Sequence, residues 1–232
     1  MLAKPVSGGS GEIDVTFTEN GTYDLGALGF SGSDAMEFAM LGSGGAASNT
    51  AYDGTQLQGG AGGGLVYGRA LPYWGVRNYR LRIDNSGCYI EASSGASWIL
   101  VAQAVVGGAT RDTASTYWNL VSSTIRNGGA GSFNGDQEGG PNNWQRRGGG
   151  AAGFLSNGQN GPDDSVFTAD GRGGAGNNLS GNSNGAAAGG STDRNGQNYG
   201  GGAGAEYGGL GTPGRPIARI MGKSSKTFPS GA

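Results

Sequence analysis

The sequence of 232 residues contains no histidine and only one cysteine, Cys88. Without histidine, a Ser-His-Asp triad, a Cys-His pair and a His-ligated metal site are all excluded. A single cysteine allows neither a disulfide within the chain nor a Cys-x-x-Cys pair of metal ligands. We therefore expect a protein that is not an enzyme and that carries no cofactor. No metal site is predicted, but the paired carboxylates Asp163-Asp164 and Asp136 with Glu138 leave calcium open.

Long hydrophobic runs and an excess of charge are also missing. The longest apolar runs, 98–102 and 104–106, are far shorter than the roughly 20 residues of a membrane span. No basic segment followed by an apolar stretch occurs near the N-terminus, so we expect no signal peptide. The net charge of −2 and the pI near 5.1 argue against general binding of nucleic acid. We expect a soluble protein, made in the cytoplasm, that works by presenting a surface.

Glycine, by contrast, is abundant, with 53 of the 232 residues. Such a composition is typical of disordered chains, and flexible linkers are one interpretation of glycine-rich runs. The small net charge and the 4 Trp, 9 Tyr and 7 Phe residues do not fit a solvated linker. We expect an ordered chain whose core is not an ordinary hydrophobic one.

Period-two alternation in the first half of the chain predicts β-strands. Ile13, Val15 and Phe17 alternate with polar residues, and Asn20-Gly21 offers a tight turn before the next strand. Further strands are predicted at 37–41, 65–71, 79–83, 89–90 and 98–106. Together they indicate a small β-rich scaffold over residues 12–106, preceded by an N-terminal arm, 1–11.

From residue 107 onward, short glycine runs alternate with polar segments, and several runs have a period of three. Gly202, Ala205, Gly208, Gly211 and Gly214 keep this step. The polyproline II helix has three residues per turn and no internal hydrogen bonds, so glycine versions of it can bond to one another side by side. The predicted fold is therefore mainly β and irregular: a small β-scaffold with a packed bundle of polyglycine II helices, over 107–214, joined by loops.

The order of these segments resembles the glycine-rich domain of bacteriophage tail-fibre tip adhesins and related virion proteins. The resemblance spans roughly residues 12–221, and its motifs are of low complexity. It is carried by the segments 38–45, 62–67, 79–83, 90–95 and 98–108. The segment 216–221 resembles the terminal strand by which such domains return to the scaffold, so residues 215–232 are expected to form a closing strand and a basic tail.

The resemblance implies a non-enzymatic protein of the virion tail, made in the host cytoplasm. In that family the loops at the distal end of the bundle bind the host receptor, here a host surface glycan or an outer-membrane protein. Further implied partners are other tail or fibre proteins, and a homotrimer stays open beside a single chain. The matching loop segments are 110–127, 132–147, 154–170, 177–184 and 191–199.

Candidate receptor-binding residues are chosen from these segments by residue type. Aromatic faces pack on sugar rings and amides bond to hydroxyls, while Trp, Tyr and Arg are frequent hot spots of interfaces. An alternative is that Trp118 and Trp144 cap the hydrophobic edges of the glycine bundle, and that Arg146 is a solvated charge. The candidates are Tyr117, Trp118, Asn142, Asn143, Trp144, Arg146 and Tyr199.

Two other functions stay open at this point. A structural virion decoration or fibre component would use the same fold as a rigid spacer without binding a receptor. An ice-binding protein is the third interpretation, since flat polyglycine II sheets occur in some antifreezes. The long interruptions of the glycine runs and the lone Cys88 weaken that third interpretation.

Overall fold

The computed structural model describes residues 11–49, 57–113, 116–132, 146–161, 172–180, 183–191, 193–206 and 209–229. This part of the chain is mainly β, with two five-stranded antiparallel sheets, two two-stranded ladders and one 3-10 turn, Gly26–Leu28. No described segment forms a helix long and apolar enough to cross a membrane. The mainly β class predicted from the alternating residues is confirmed.

The strands are numbered in chain order. The first sheet has the spatial order β1 (Ile13–Phe17), β14 (Ile217–Gly222), β3 (Met36–Leu41), β6 (Leu65–Pro72) and β11 (Trp118–Arg126). The second sheet has the order β10 (Gly108–Arg111), β9 (Ser97–Val105), β8 (Gly87–Ser94), β7 (Tyr79–Asp84) and β2 (Gly21–Asp24). The short ladders pair β4 (Ser48–Asn49) with β5 (Leu57–Gln58), and β12 (Ala205–Glu206) with β13 (Gly209–Leu210).

Strands β10 and β11 lie beyond residue 107, where the glycine bundle was expected to begin, and yet they belong to the two sheets. Strand β11 pairs with β6, so residues 118–126 form an edge strand where a presented loop was expected. A bulge between Leu120 and Ser122 shifts the register of this strand. A bulge interrupts period-two alternation, which is why the sequence pattern did not predict the strand.

The hydrophobic core lies between the two sheets. Period-two alternation sends Phe38 and Met40 of β3 toward the second sheet, where they meet a cluster that includes Leu81 and Ile90. The Trp118 indole stacks on the Phe38 ring with 5.4 Å between centroids. The two sheets thus form a sandwich held by conventional side-chain packing.

The opposite face of the first sheet is also buried, against glycine-rich segments. Leu41 and Tyr67 on this face pack in one cluster with Ala151, Ala152 and Phe154. The Tyr67 hydroxyl donates a hydrogen bond of 3.1 Å to the carbonyl of Phe154. All six residues of β3 are buried, because the strand has a packed layer on each side. The described fold therefore has three layers, with the first sheet in the middle.

In the third layer, consecutive amides of residues 148–152 donate to three neighbouring segments in rotation. The fourth amide returns to the segment that the first one uses, and the fifth returns to the segment of the second. The acceptors are, in order, the carbonyls of Arg172, Gly60, Gln159, Ala175 and Gly63, at 2.9, 2.8, 3.0, 3.0 and 2.9 Å. This is a hydrogen-bond pattern with a period of three between separate stretches of chain.

The carbonyls of the same segment accept hydrogen bonds from three further stretches of chain. Those of residues 148–151 accept, in order, from the amides of Gly189, Gly202, Gly129 and Ala186, at 3.0, 2.9, 2.9 and 2.8 Å. The segment 148–152 is thus surrounded by six others. A Cβ at Gly149 would overlap the carbonyl oxygen of Gly129, and one at Gly150 would overlap that of Ala186. The spacing between the segments excludes any side chain at these two positions.

The closing strand β14 is inserted between β1 and β3, where Ile220 pairs with both Val15 and Phe38. An ion pair holds its glycine-facing side to β1. The Arg219 guanidinium donates to both carboxylate oxygens of Asp14, at 2.9 and 3.0 Å. These hydrogen bonds lower the pKa of Asp14, an effect that burial opposes and that Lys226 supports.

We predict that Gly150→Ala destabilises the fold by about 3 kcal/mol, the upper end of the usual cost of overpacking, because the Cβ displaces a neighbouring backbone segment. The measurement is urea unfolding followed by tryptophan fluorescence. The matched control is Gly108→Ala, since a Cβ at Gly108 approaches only the Asn127 Oδ1 at 4.0 Å. Equal stability of the two variants would contradict the dense packing of the glycine segments.

We predict that Asp14→Asn lowers the free energy of unfolding at pH 7 by about 1 kcal/mol, between the values for exposed pairs and for charged hydrogen bonds. The lowered pKa means that this stabilisation is present above the ordinary value of 3.8 and is lost as the pH falls below it. Urea unfolding of both proteins at pH 7 and at about pH 2.5 should show the difference shrinking at acid pH. Glu19→Gln is the control, because its pair with Arg215 is exposed and 3.9 Å long.

Candidate functional site

Four of the seven predicted receptor-binding residues lie in the described part of the chain. They are Tyr117, Trp118, Arg146 and Tyr199. Asn142, Asn143 and Trp144 lie outside the described residues. The structure therefore gives the surroundings of Tyr117, Trp118, Arg146 and Tyr199 only.

Trp118 is a core residue. Its side chain is 0% exposed, and its Nε1 donates a hydrogen bond of 3.0 Å to the carbonyl of Asp112. The expectation that it contacts a receptor does not fit this position, because neither face of the ring can be reached. The alternative, that this tryptophan fills a hydrophobic site, is closer, but the site is the core between the sheets rather than an edge of the glycine segments.

Tyr117 lies half-buried at the rim of the same core. The guanidinium carbon of Arg77 lies over its ring, 5.1 Å from the centroid. The carbonyl of Tyr117 accepts a hydrogen bond from the Tyr79 hydroxyl. This hydrogen bond holds the backbone of Tyr117 in place, while part of its ring is exposed to solvent.

Arg146 and Tyr199 are both built into the glycine-rich layer. Arg146 is buried, and its backbone pairs in both directions with Ala205, at 2.6 and 2.8 Å. Burial rules out the alternative of a solvated charge. The half-buried Tyr199 packs against the cluster beneath the first sheet, and its carbonyl accepts from the Asn177 amide at 2.8 Å. The structure does not bring either residue together with Tyr117 in one described pocket.

Asparagine side chains have a structural role that the sequence analysis missed. Four of them, in two pairs spaced three residues apart, accept a hydrogen bond from the backbone amide of a neighbouring segment. Asn157 and Asn160 accept from Asn127 and Ala130, at 3.0 and 2.8 Å, and Asn195 and Asn198 accept from Thr212 and Arg215, at 2.9 and 3.0 Å. Their common spacing, with glycine after three of them, was a signal available in the sequence.

The outward face of the second sheet carries a group of stacked charged and aromatic side chains. The guanidinium carbons of Arg80 and Arg82 lie 4.2 and 3.9 Å from the ring centroids of Trp98 and Tyr89. Glu91 lies between the two arginines and bonds to Arg80 at 2.6 Å. The alternation of Arg80 and Arg82 with buried residues already placed both on one face. Each ring is covered by an arginine of the same chain, so these contacts stabilise the sheet.

Nucleophilic and metal chemistry find little support in the described residues. The Cys88 thiol is fully buried, donates to the Leu41 carbonyl at 3.6 Å, and has its pKa raised by burial and to a lesser extent by Asp84. A thiol in this state is a poor nucleophile. Within the described ranges, no group of three or more Cys, Asp or Glu side chains is placed to hold a metal ion.

Compared with protein-family models and with curated protein sequences, the chain matches none.

We predict that Trp118→Ala costs about 3–5 kcal/mol of stability, the range for removing a buried aromatic side chain. The measurement is thermal unfolding followed by circular dichroism. Trp98→Ala serves as the control, since Trp98 is 39% exposed on the outward face of the second sheet, and we expect it to lose only about 1 kcal/mol. A Trp118→Ala variant as stable as the parent would show that the indole is not part of the core.

Proposed function

We propose that the glycine-rich segments are polyglycine II helices and that the protein is a bacteriophage tail-fibre or tail-tip adhesin. In this proposal it binds a receptor on the host cell surface through loops that the glycine-rich layer holds in place, and it performs no catalysis. The rotation of hydrogen bonds around residues 148–152 supports the first part, because a helix with three residues per turn directs successive amides to three neighbours.

One observation supports the functional part: the described residues on the two sides of segment 133–145 are hydrogen-bonded to each other in the glycine network. The Ser132 amide donates to the Arg147 carbonyl at 3.0 Å, and the Arg147 amide donates to the Ser132 Oγ at 2.8 Å. Ser132 and Arg146 also bond to other segments of the layer. The Ser132 carbonyl accepts from the Gly59 amide, and the backbone of Arg146 pairs with that of Ala205. The described residues on both sides of segment 133–145 are thus held by the glycine-rich layer.

Such a platform suits recognition because its stability comes from backbone groups. Loops that extend from it need not supply side chains to a core, so their sequence is free to match a receptor. The segment 133–145 contains Asn142, Asn143 and Trp144, residue types that bind sugar hydroxyls and sugar faces or anchor protein interfaces. We infer that the receptor is a surface glycan or an outer-membrane protein of the host.

The test is binding of the fluorescently labelled protein to a panel of bacterial strains that includes the host of the phage that carries it. We predict saturable binding to that host and a Kd at least tenfold higher for Trp144→Ala, equivalent to about 1.4 kcal/mol. Trp98→Ala is the control, because it removes a tryptophan outside the proposed loop and should leave the Kd unchanged.

Both variants must first show the unfolding midpoint expected of a folded protein, so that lost binding reports on recognition. Absence of binding to a host that the phage infects would overturn the adhesin proposal and favour a structural virion decoration or fibre component. Equal loss of binding in both tryptophan variants would show that segment 133–145 is not the receptor site.

A further inference from the structure

A cavity of about 470 Å³ opens on the first sheet, between the ends of β3, β6 and β14 and the tail that follows β14. The tail is turned back over the sheet at Lys223, which has a φ of 55°, in the left-handed region. Seven polar residues line the cavity: Ser33, Asp34, Glu37, Arg69, Lys223, Ser224 and Ser225. None of them belongs to the predicted receptor segments.

Glu37 is the unusual group in this cavity. It pairs with Arg69 across β3 and β6, and its side chain is only 7% exposed. Among the described residues, its buried Oε1 has no hydrogen-bond partner, since the Arg69 Nη1 is 3.7 Å away. Burial raises the pKa of Glu37, against the opposing effects of Arg69 and of the Phe228 amide. A buried carboxylate oxygen without a hydrogen bond is costly, so it marks a place where a donor is needed.

A second acid–base pair lies in the lining of the same cavity. The Lys223 Nζ is 3.4 Å from the Asp34 Oδ2 and also donates to the carbonyl of Gly29 at 2.6 Å. The Asp34 Oδ2 accepts from the Ser31 amide at 2.9 Å, which fixes the carboxylate in place. The lining thus combines two carboxylates with two cations, and their formal charges cancel.

We propose that this cavity binds a neutral hexose. When the half-exposed Arg69 side chain moves aside, a hydroxyl group can donate to the buried Glu37 Oε1 while it accepts from Arg69, which supplies the missing donor. The Lys223 ammonium and the Asp34 carboxylate can likewise donate to and accept from a second hydroxyl. Ser224 and Ser225 add further polar groups. Because the two carboxylates and the two cations cancel, the lining has no net charge that would favour an anion or a cation over a neutral ligand. The volume is within the usual range of small-molecule sites.

This site is independent of the adhesin proposal, and so is its test. Glucose, galactose and mannose are offered separately, up to about 50 mM, and binding is measured by saturation-transfer NMR on the complete chain. Methyl glycosides of the same sugars distinguish a free hexose from the end of a glycan. N-acetylneuraminate and inorganic phosphate are the anionic probes. We expect at least one neutral hexose to bind with a millimolar Kd and the anions to bind more weakly.

Arg69→Ala is the main variant, because its side chain is 45% exposed. Its removal leaves the buried Glu37 without a counter-charge, so binding is measured at a temperature at which the variant is shown to be folded. We expect its Kd for the hexose to rise at least tenfold, while Arg215→Ala, at a 66% exposed arginine outside the cavity, keeps the parental Kd. Glu37→Gln, which keeps the size of the side chain and an acceptor oxygen but removes the charge, is the second variant, and its Kd for the hexose should rise less than that of Arg69→Ala. Absence of binding by all three hexoses, equal binding by Arg69→Ala, or tighter binding of an anion would each overturn the proposal.

Discussion

The close approach of one backbone segment to another, which only glycine permits, is the constraint on which the rest of this structure depends. Ordering a residue costs about 1–2 kcal/mol of backbone entropy, and glycine is at the expensive end. A typical hydrogen bond contributes only about 1 kcal/mol net. A glycine segment with one neighbour would therefore stay disordered, whereas residues such as Gly149 and Gly150 act as donor and acceptor toward different segments at once. The glycine-rich layer should form cooperatively, and it needs a surface on which to form.

The first sheet provides that surface, and hydrophobic side chains are concentrated where the layers meet. Strand β3 is buried on both faces, with Phe38 and Met40 toward the second sheet and Leu41 toward the glycine-rich layer. Ala151 and Ala152 interrupt a glycine run at the place where it touches this sheet, so their methyl groups fill the boundary without separating the neighbouring segments. A chain with few large apolar residues can be ordered in this way, because it uses them at the boundaries and uses backbone hydrogen bonds elsewhere.

The sequence predicted the features that follow from strict periodicity. Alternation identified β1 and β7, short apolar stretches identified β3, β6 and β9, and the step of three among the glycines indicated contacts between segments. Strand β11 was missed because its bulge interrupts the alternation, and Trp118 was taken for a surface residue as a consequence. The cavity around Glu37 was not predictable, since it joins residues more than 180 positions apart through the closing strand β14. Long-range pairing of that kind leaves no local pattern.

The spacing of the asparagines distinguishes those that bond within the glycine-rich layer from those that we expect to contact a receptor. Asn157 and Asn160 are three residues apart, and the Oδ1 of each accepts a hydrogen bond from a backbone amide of one neighbouring segment. These side-chain oxygens therefore already bond within the fold. Asn142 and Asn143 are adjacent in the sequence, and two adjacent residues cannot face the same neighbour in an arrangement with a period of three. Asn142 and Asn143 thus lack the spacing of the asparagines that bond to the fold. Asparagines outside the period of three are therefore the ones whose amides we expect to serve a receptor.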